Sequence, residues 1–338
     1  MRWTIIQTAF LGDVVLTLPL LEEIQSRWQG SELQFICRPE AASVIETAPG
    51  IIDVAVYDKR GKQAGLSGWL TICNRIRNFQ PELVLCPHRS VRSVLLAGCS
   101  SARERIGYDR AVRVPGFTKR VKYRKDVHET ARLLDLLTPL TNVLGVPRIP
   151  NIHLTDADRA RADAMIPAGS GKWVAIAPGA VWHTKKYPTD RYARVAALLS
   201  QQGYRIVTIG GPDDKQLCEQ VASAGKGIAC GGLLSPRESA AVLAKCAALL
   251  TNDSAPLHLG QAVGTPTIAI FGATVPGFGF GPQAPFDEVI GIELSCRPCA
   301  IHGGNQCPMK HFRCMLNLAP EQVATIVDQT IQRTSVLR

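Results

Sequence analysis

The sequence predicts an α/β fold built from two doubly wound parallel sheets, and three observations predict it. Short runs rich in Val, Ile, Leu and Ala, at 83–86, 173–177 and 267–271 for example, are too short for helices and carry almost no charge. They alternate with longer segments of helical period, the βαβ rhythm of a parallel sheet. The rhythm runs twice, on either side of a Pro- and Gly-containing stretch at 145–171. A chain of 338 residues has room for two such domains. The boundaries expected are 1–168 and 169–319, with a terminal helix at 320–338 that packs back on the N-terminal domain. Two sheets in tandem imply a cleft between the domains.

In the first half, 3–7 is a strand and 8–12 a loop. Val14, Leu18, Leu21 and Trp28 then form one face of a helix over 14–28. Strands follow at 33–37 and 52–57, with a short helix at 39–46 between them. A helix at 66–78, a strand at 83–86 and a helix at 90–99 continue the alternation. A basic loop at 108–125 interrupts it, and an amphipathic helix at 128–144 closes the half. A short helix at 156–165 lies in the linker. The second half reads strand 173–177, helix 189–202, strand 205–209, helices 213–224 and 235–246, and strand 247–250. Its last unit is a helix opening at Ser254 and a strand at 267–271.

Composition narrows the functions. With 46% hydrophobic and 20% charged residues, the chain forms cores and is not disordered. No stretch approaches 18 uncharged apolar residues, so no membrane span is expected. Asp13 interrupts the apolar N-terminus and no small-residue cleavage site follows, which argues against a signal peptide and for a cytoplasmic protein. The net charge of +10 is uneven: residues 59–125 hold sixteen Lys or Arg against Glu82, Glu104 and Asp109. Such a tract is either a solvated face or a surface for anionic ligands. It lacks the basic–aromatic interleaving of a stacking platform, so a nucleic-acid partner is not expected. Neither half has Gly-x-Gly-x-x-Gly after a strand, nor a Gly-x-x-x-x-Gly-Lys-Ser/Thr loop, which counts against nicotinamide dinucleotide and P-loop folds. Eleven cysteines in a cytosolic chain are expected as thiols. Seven of them sit singly among apolar neighbours, as small core residues do.

Chemistry in a parallel sheet belongs at the carboxyl ends of its strands. At Thr-Asn-Asp-Ser (251–254), Asp253 and Ser254 are placed either to cap the following helix or to leave its first N–H groups for a phosphate. Gly12 permits a tight turn and Asp13 opens a helix, as a cap or as a carboxylate that takes a proton from a substrate hydroxyl. Lys185 and Lys186, just before Pro188, are either solvated charge or neutralisers of a diphosphate. Gly210 and Gly211 allow a ligand close to the backbone, and Asp213 and Asp214 cap the next helix.

Five segments in order, LGDVVLTLPLL, APGAVWHTKKYP, IGGPDD, TNDSAPLHLGQAVGTPTIAIFG and CRPC…CP…H…CM, resemble the ADP-heptose:lipopolysaccharide heptosyltransferase family, in a heptosyltransferase II-like pattern. They span nearly the whole chain. The resemblance implies a GT-B fold, two Rossmann-like domains facing a cleft, and transfer of L-glycero-D-manno-heptose from ADP-heptose to the Kdo/heptose-lipid A inner core with inversion. It implies Asp13 as general base and Thr8, Gly12, Thr184, Lys185, Asp253, Ser254, Ala255 and His258 as donor-binding. It implies no cofactor. The basic tract, with Arg60, Lys62 and Arg120, would meet the anionic lipid A-core acceptor, placing a monomeric enzyme on the cytoplasmic side of the inner membrane. Ala9 and Phe10 stand where the family often carries hydroxyls, and Ala255 where it more often has Gly. VPGFGFGP at 275–282 reads either as a wall of the sugar or adenine pocket or as a surface loop. Cys296, Cys299, Cys307 and Cys314 have the spacing of a structural zinc site, the alternative to structural thiols or a redox pair. The rival readings are a transferase using another nucleotide-diphosphate sugar or acceptor, and a non-catalytic protein that binds anions or nucleic acid.

Overall fold

Strands that are apolar on both faces are stable only inside a sheet covered by helices on both sides. The computed structural model describes residues 1–59, 61–169 and 171–335 and divides into two compact units, Met1–His153 and Leu154–Arg338. In the first unit the strands are β1 (Arg2–Ile6), β2 (Glu32–Cys37), β3 (Ile51–Val56), β4 (Leu83–Cys86), β5 (Glu104–Tyr108) and β6 (Lys119–Val121). They pair parallel in the order β3-β2-β1-β4-β5-β6, with Ile5 opposite both Phe35 and Leu85. Its helices are α1 (Leu11–Val15), α2 (Leu18–Arg27), α3 (Ala42–Ile45), α4 (Leu66–Phe79), α5 (Val91–Gly98), α6 (Glu129–Asp135) and α7 (Thr138–Thr141).

The second unit repeats the plan. Its strands are β7 (Trp173–Ala177), β8 (Arg205–Thr208), β9 (Ile228–Ala229), β10 (Ala248–Asn252), β11 (Thr267–Ile270) and β12 (Glu288–Ile290). They are ordered β12-β11-β10-β7-β8-β9, all parallel. Its helices are α8 (Asp156–Met165), α9 (Thr189–Gln201), α10 (Lys215–Ala224), α11 (Pro236–Ala244), α12 (Ala255–Ala262), α13 (Arg313–Leu316) and α14 (Pro320–Ser335). Counted from its own first strand, each sheet has the order of a Rossmann-like fold. The winding reverses between β1 and β4 in one unit and between β7 and β10 in the other, and a ligand crevice opens at such a reversal.

Several expectations change. The helix over 14–28 is broken into α1 and α2, because Pro19 in the first turn of α2 has no N–H to continue the ladder. The helix over 128–144 ends at Asp135 and restarts as α7, which carries Pro139 in its own first turn. The domain boundary falls after His153, not after 168. Helix α8 belongs to the second unit because it packs on α11 and its Asp158 pairs with Arg237 at 2.7 Å. The terminal helix packs in the core of the second unit. Val323, Val327 and Ile331 recur every four residues and join one core with Val195 and Leu199 of α9 and Ile268 of β11. Asp328 then accepts a hydrogen bond from the Tyr204 hydroxyl at 2.6 Å. The cysteines also differ from expectation, since Cys73 of α4 and Cys99, just after α5, are joined as a disulfide. Cys37, Cys86, Cys218, Cys230 and Cys246 are buried thiols, in keeping with small core residues.

Candidate active site

The loops leaving β1 and β4 meet at the reversal point of the first sheet. Thr8 follows β1 and is buried; its hydroxyl lies 3.0 Å from His88 Nδ1 and 3.1 Å from the Ser93 hydroxyl. His88 and Ser93 are themselves 2.9 Å apart. The Lys59 ammonium donates to the Thr8 carbonyl at 2.7 Å and lies 3.3 Å from its hydroxyl. Burial lowers the His88 pKa to about 4, helped by the positive charge of Lys59, Arg89 and Arg38. A neutral imidazole is therefore the working form near pH 7. Asp13 lies in the first turn of α1, where its Oδ2 accepts the Phe10 N–H at 3.2 Å. Gly12 lies inside the same helix, so the tight turn is made before it.

Glu129, at the first position of α6, is a second carboxyl in electrostatic reach of Asp13. Its Oε2 accepts from Arg132 at 2.7 Å and from the Tyr123 hydroxyl at 3.5 Å. Burial raises its pKa to about 7 against the opposing pull of Arg132, and the negative charge of Asp13 raises it further.

In the second unit the corresponding reversal point brings Lys185, after β7, to Asp253, after β10. Lys185 Nζ is 2.6 Å from Asp253 Oδ2, and the Thr274 hydroxyl donates to the same oxygen at 2.6 Å. Asp253 is 6% exposed, so this is a largely desolvated pair whose remaining face is all that a ligand would meet. Asn252 fixes the geometry. Its Oδ1 accepts from the Tyr187 N–H at 2.9 Å and the Tyr192 hydroxyl at 3.0 Å. Its Nδ2 donates to the carbonyls of Pro178 and Gly179. The segment carrying Lys185 is thereby tied to the end of β10. Ser254 stands at the N-cap of α12 without capping it: its hydroxyl donates to the Gly179 carbonyl at 3.3 Å and accepts no helix N–H. Ala255 and Pro256 begin the helix, and His258 is buried within it. An acid-bearing turn thus sits at the reversal point of each of the two sheets, after β1 in one and after β10 in the other.

A family model, glycosyltransferase family 9 (heptosyltransferase), matches residues 69–312, well over half of the chain. The chain belongs to glycosyltransferase family 9. Lipopolysaccharide heptosyltransferase 1 of Pseudomonas aeruginosa is 25% identical over the whole of both chains. A solved family 9 glycosyltransferase from Veillonella parvula superposes with a TM-score of 0.86 at 23% identity, covering 98% of this chain and 97% of the other. The E. coli heptosyltransferase WaaC, solved with ADP, superposes with a TM-score of 0.75 at 18% identity, covering 98% of this chain and all of the other. At these identities the structural likeness is one of fold, the GT-B architecture of two Rossmann-like units. The protein is thus a glycosyltransferase of the heptosyltransferase family.

Other family 9 expectations land variously in the structure. Thr184 is buried and its hydroxyl accepts the Gly304 N–H at 2.8 Å, so it anchors a loop. Its own N–H donates to the Gly304 carbonyl at 2.9 Å. Lys62 is exposed, with its N–H on Asp58 at 2.9 Å. The Arg120 guanidinium donates to the carbonyls of Tyr108 and Ala111 and lies over the Phe117 ring. Arg60 lies outside the described residues.

Among the described residues no three His, Cys, Asp or Glu side chains are placed to hold a metal ion, those of Cys296, Cys299, Cys307 and Cys314 included. Their loop is held by other means. Arg297 donates to the carbonyls of Phe271, Gly272, Ile292 and Thr274, and the Cys299 N–H donates to the Ala273 carbonyl at 2.9 Å. One end of the loop therefore grips Thr274, next to Asp253, and the other grips Thr184, next to Lys185. Asn252, Thr274, Arg297, His88 and Glu129 were not singled out from the sequence. Asn252 carried a signal, a polar residue ending an apolar strand, whereas Glu129 and Arg297 acquire meaning only from what surrounds them.

Proposed function

We propose that this family 9 enzyme transfers L-glycero-D-manno-heptose from ADP-heptose to the inner core of lipopolysaccharide with inversion. The observation that carries the reading is the Lys185–Asp253–Thr274 cluster at the β7/β10 reversal point, beside an α12 N-terminus that Ser254 does not cap. The ADP in the WaaC structure supports the choice of nucleotide, and the name of the Pseudomonas relative supports the acceptor. In this reading Asp13 takes the proton of the acceptor hydroxyl, whose oxygen attacks the anomeric carbon. The bond from that carbon to the β-phosphate oxygen breaks and ADP departs. The Lys185 ammonium and the first-turn N–H groups of α12 stabilise the charge that develops on the diphosphate. Thr8 and Gly12 line the approach to Asp13, while Lys62 and Arg120, together with Arg60, attract the phosphorylated acceptor. The enzyme works as a monomer on the cytoplasmic face of the inner membrane.

Thermal unfolding with ADP, UDP, GDP or no nucleotide tests the donor. Saturating ADP at a hundredfold excess over Kd should add about 2.7 kcal/mol of apparent stability. Lys185→Ala should lose most of that gain. Asp13→Asn should keep it while turnover falls by roughly 10²–10⁴-fold. An equal response to all three nucleotides, or full activity in Asp13→Asn, overturns the reading.

A further inference from the structure

We infer that the N-terminal ends of α4 and α5 form a bilayer-docking face in the first unit, one that takes up an anionic lipid surface. Helix N-termini in a parallel sheet lie at the carboxyl edge of the strands, the edge that carries Asp13. The Cys73–Cys99 link and the Arg77 hydrogen bond to the Cys99 carbonyl set α4 and α5 side by side. Leu66 lies seven residues before Cys73, and Val91 eight before Cys99, so both first turns reach the same height. There the apolar side chains point outward. Leu66 is 71% exposed, Leu70 and Val91 are each 44% exposed, and Leu95 is 37% exposed. Leu66 and Leu70 share a helix face at i, i+4, as do Val91 and Leu95, so this is a double row of aliphatic side chains and not isolated residues.

The rim of the patch is basic. Exposed Arg92 sits between the two apolar residues of α5 and donates to the Lys59 carbonyl at 3.2 Å, which brings the loop carrying Lys62 alongside. The Val112 N–H reaches the Arg89 carbonyl at 3.5 Å, which brings the loop with exposed Arg110 and Arg113 to the start of α5. Asp109 is the exposed acid on that loop. Aliphatic side chains that enter the acyl boundary, ringed by arginines that pair with headgroup phosphates, match an anionic bilayer in both polarity and charge. No described helix is long and apolar enough to cross a membrane, so attachment here is to one surface. The inference builds on the lipid-acceptor reading, yet the binding it predicts requires no turnover.

Vesicle co-sedimentation of the full chain tests it, using phosphatidylcholine alone and phosphatidylcholine mixed with phosphatidylglycerol. The wild type should bind the mixed vesicles and release them at high salt. Arg92→Glu should weaken binding about fivefold or more. Leu66→Ser with Leu70→Ser should weaken it at least tenfold on the same vesicles. Both variants should keep the ADP-induced rise in Tm and turnover on a soluble, delipidated acceptor. Wild-type failure to bind the mixed vesicles overturns the inference, as does binding unchanged in both variants. Concentration-dependent dimerisation abolished by the leucine substitutions also overturns it, since the face would then meet a second copy. An enzyme that docks yet ignores ADP leaves the docking face standing and removes the donor assignment.

Discussion

Glu129 shows how burial, not sequence, sets the properties of a residue. A carboxyl in the first turn of a helix ordinarily stays ionised, favoured by the helix dipole. Here burial dominates, with Asp13 adding to it, and the pKa rises to about 7 although Arg132 is 2.7 Å away. The unfolded chain releases this proton near the ordinary value of 4.5 and the folded chain only near 7, so between these values the folded state binds more protons and stability falls as pH rises. The wild type should lose stability relative to Glu129→Gln between pH 5 and pH 8, by at most about 3 kcal/mol. Denaturation midpoints at the two pH values check this, and a constant difference would refute it. His88 works in the opposite direction: its depressed pKa means that stability is lost as pH falls from the ordinary 6.5 towards about 4, an effect that cancels between the two proteins. At the same scale, Asp13, Lys185 and Asp253 were legible as candidates because each ends a strand-to-turn segment. Thr274 was not, because only the fold carries its hydroxyl to Asp253, 21 residues away in sequence.

At the scale of elements, the interior strands other than β5 and most helices were legible because their apolar period is strong. Of the edge strands, β3 was legible at 52–57, while β6, β9 and β12 were not. β6 reads Lys-Arg-Val and β9 is two residues long, so neither offers an alternation to detect, and both owe their state to a neighbouring strand. The staple between α4 and α5 was equally hidden. Cys73 reads as a core thiol, and only packing sets its Cα 5.5 Å from that of Cys99, within disulfide range. Thiol titration of the denatured, unreduced protein should count nine free groups, and eleven after reduction. Eleven before reduction would mean that the link is absent. Because the link closes a separation of 26 residues, its reduction should cost about 2–4 kcal/mol.

For the whole molecule, the division into two units has a consequence for how a ligand is felt. Each unit buries its own core, the first around Ile36, Ile72 and Val84 and the second around Val174, Val195 and Ile268. ADP bound at Lys185 and Asp253 should slow amide hydrogen exchange at 178–187 and 252–258 while β2 and β3 exchange as before, because local opening follows the unit that holds the ligand. Protection confined to the first unit would move the nucleotide site. The sequence by itself determined the fold class, the tandem plan and the turns that carry acid and base, because apolar period and strand-end residues are local properties. Tertiary structure decided which unit α8 and α14 join, which cysteines pair, and that Ser254 faces Gly179 instead of its own helix. It also decided that Glu129 holds its proton near neutrality. Each of these depends on neighbours distant in sequence, and the desolvation and pairing they impose exist only once the chain has folded.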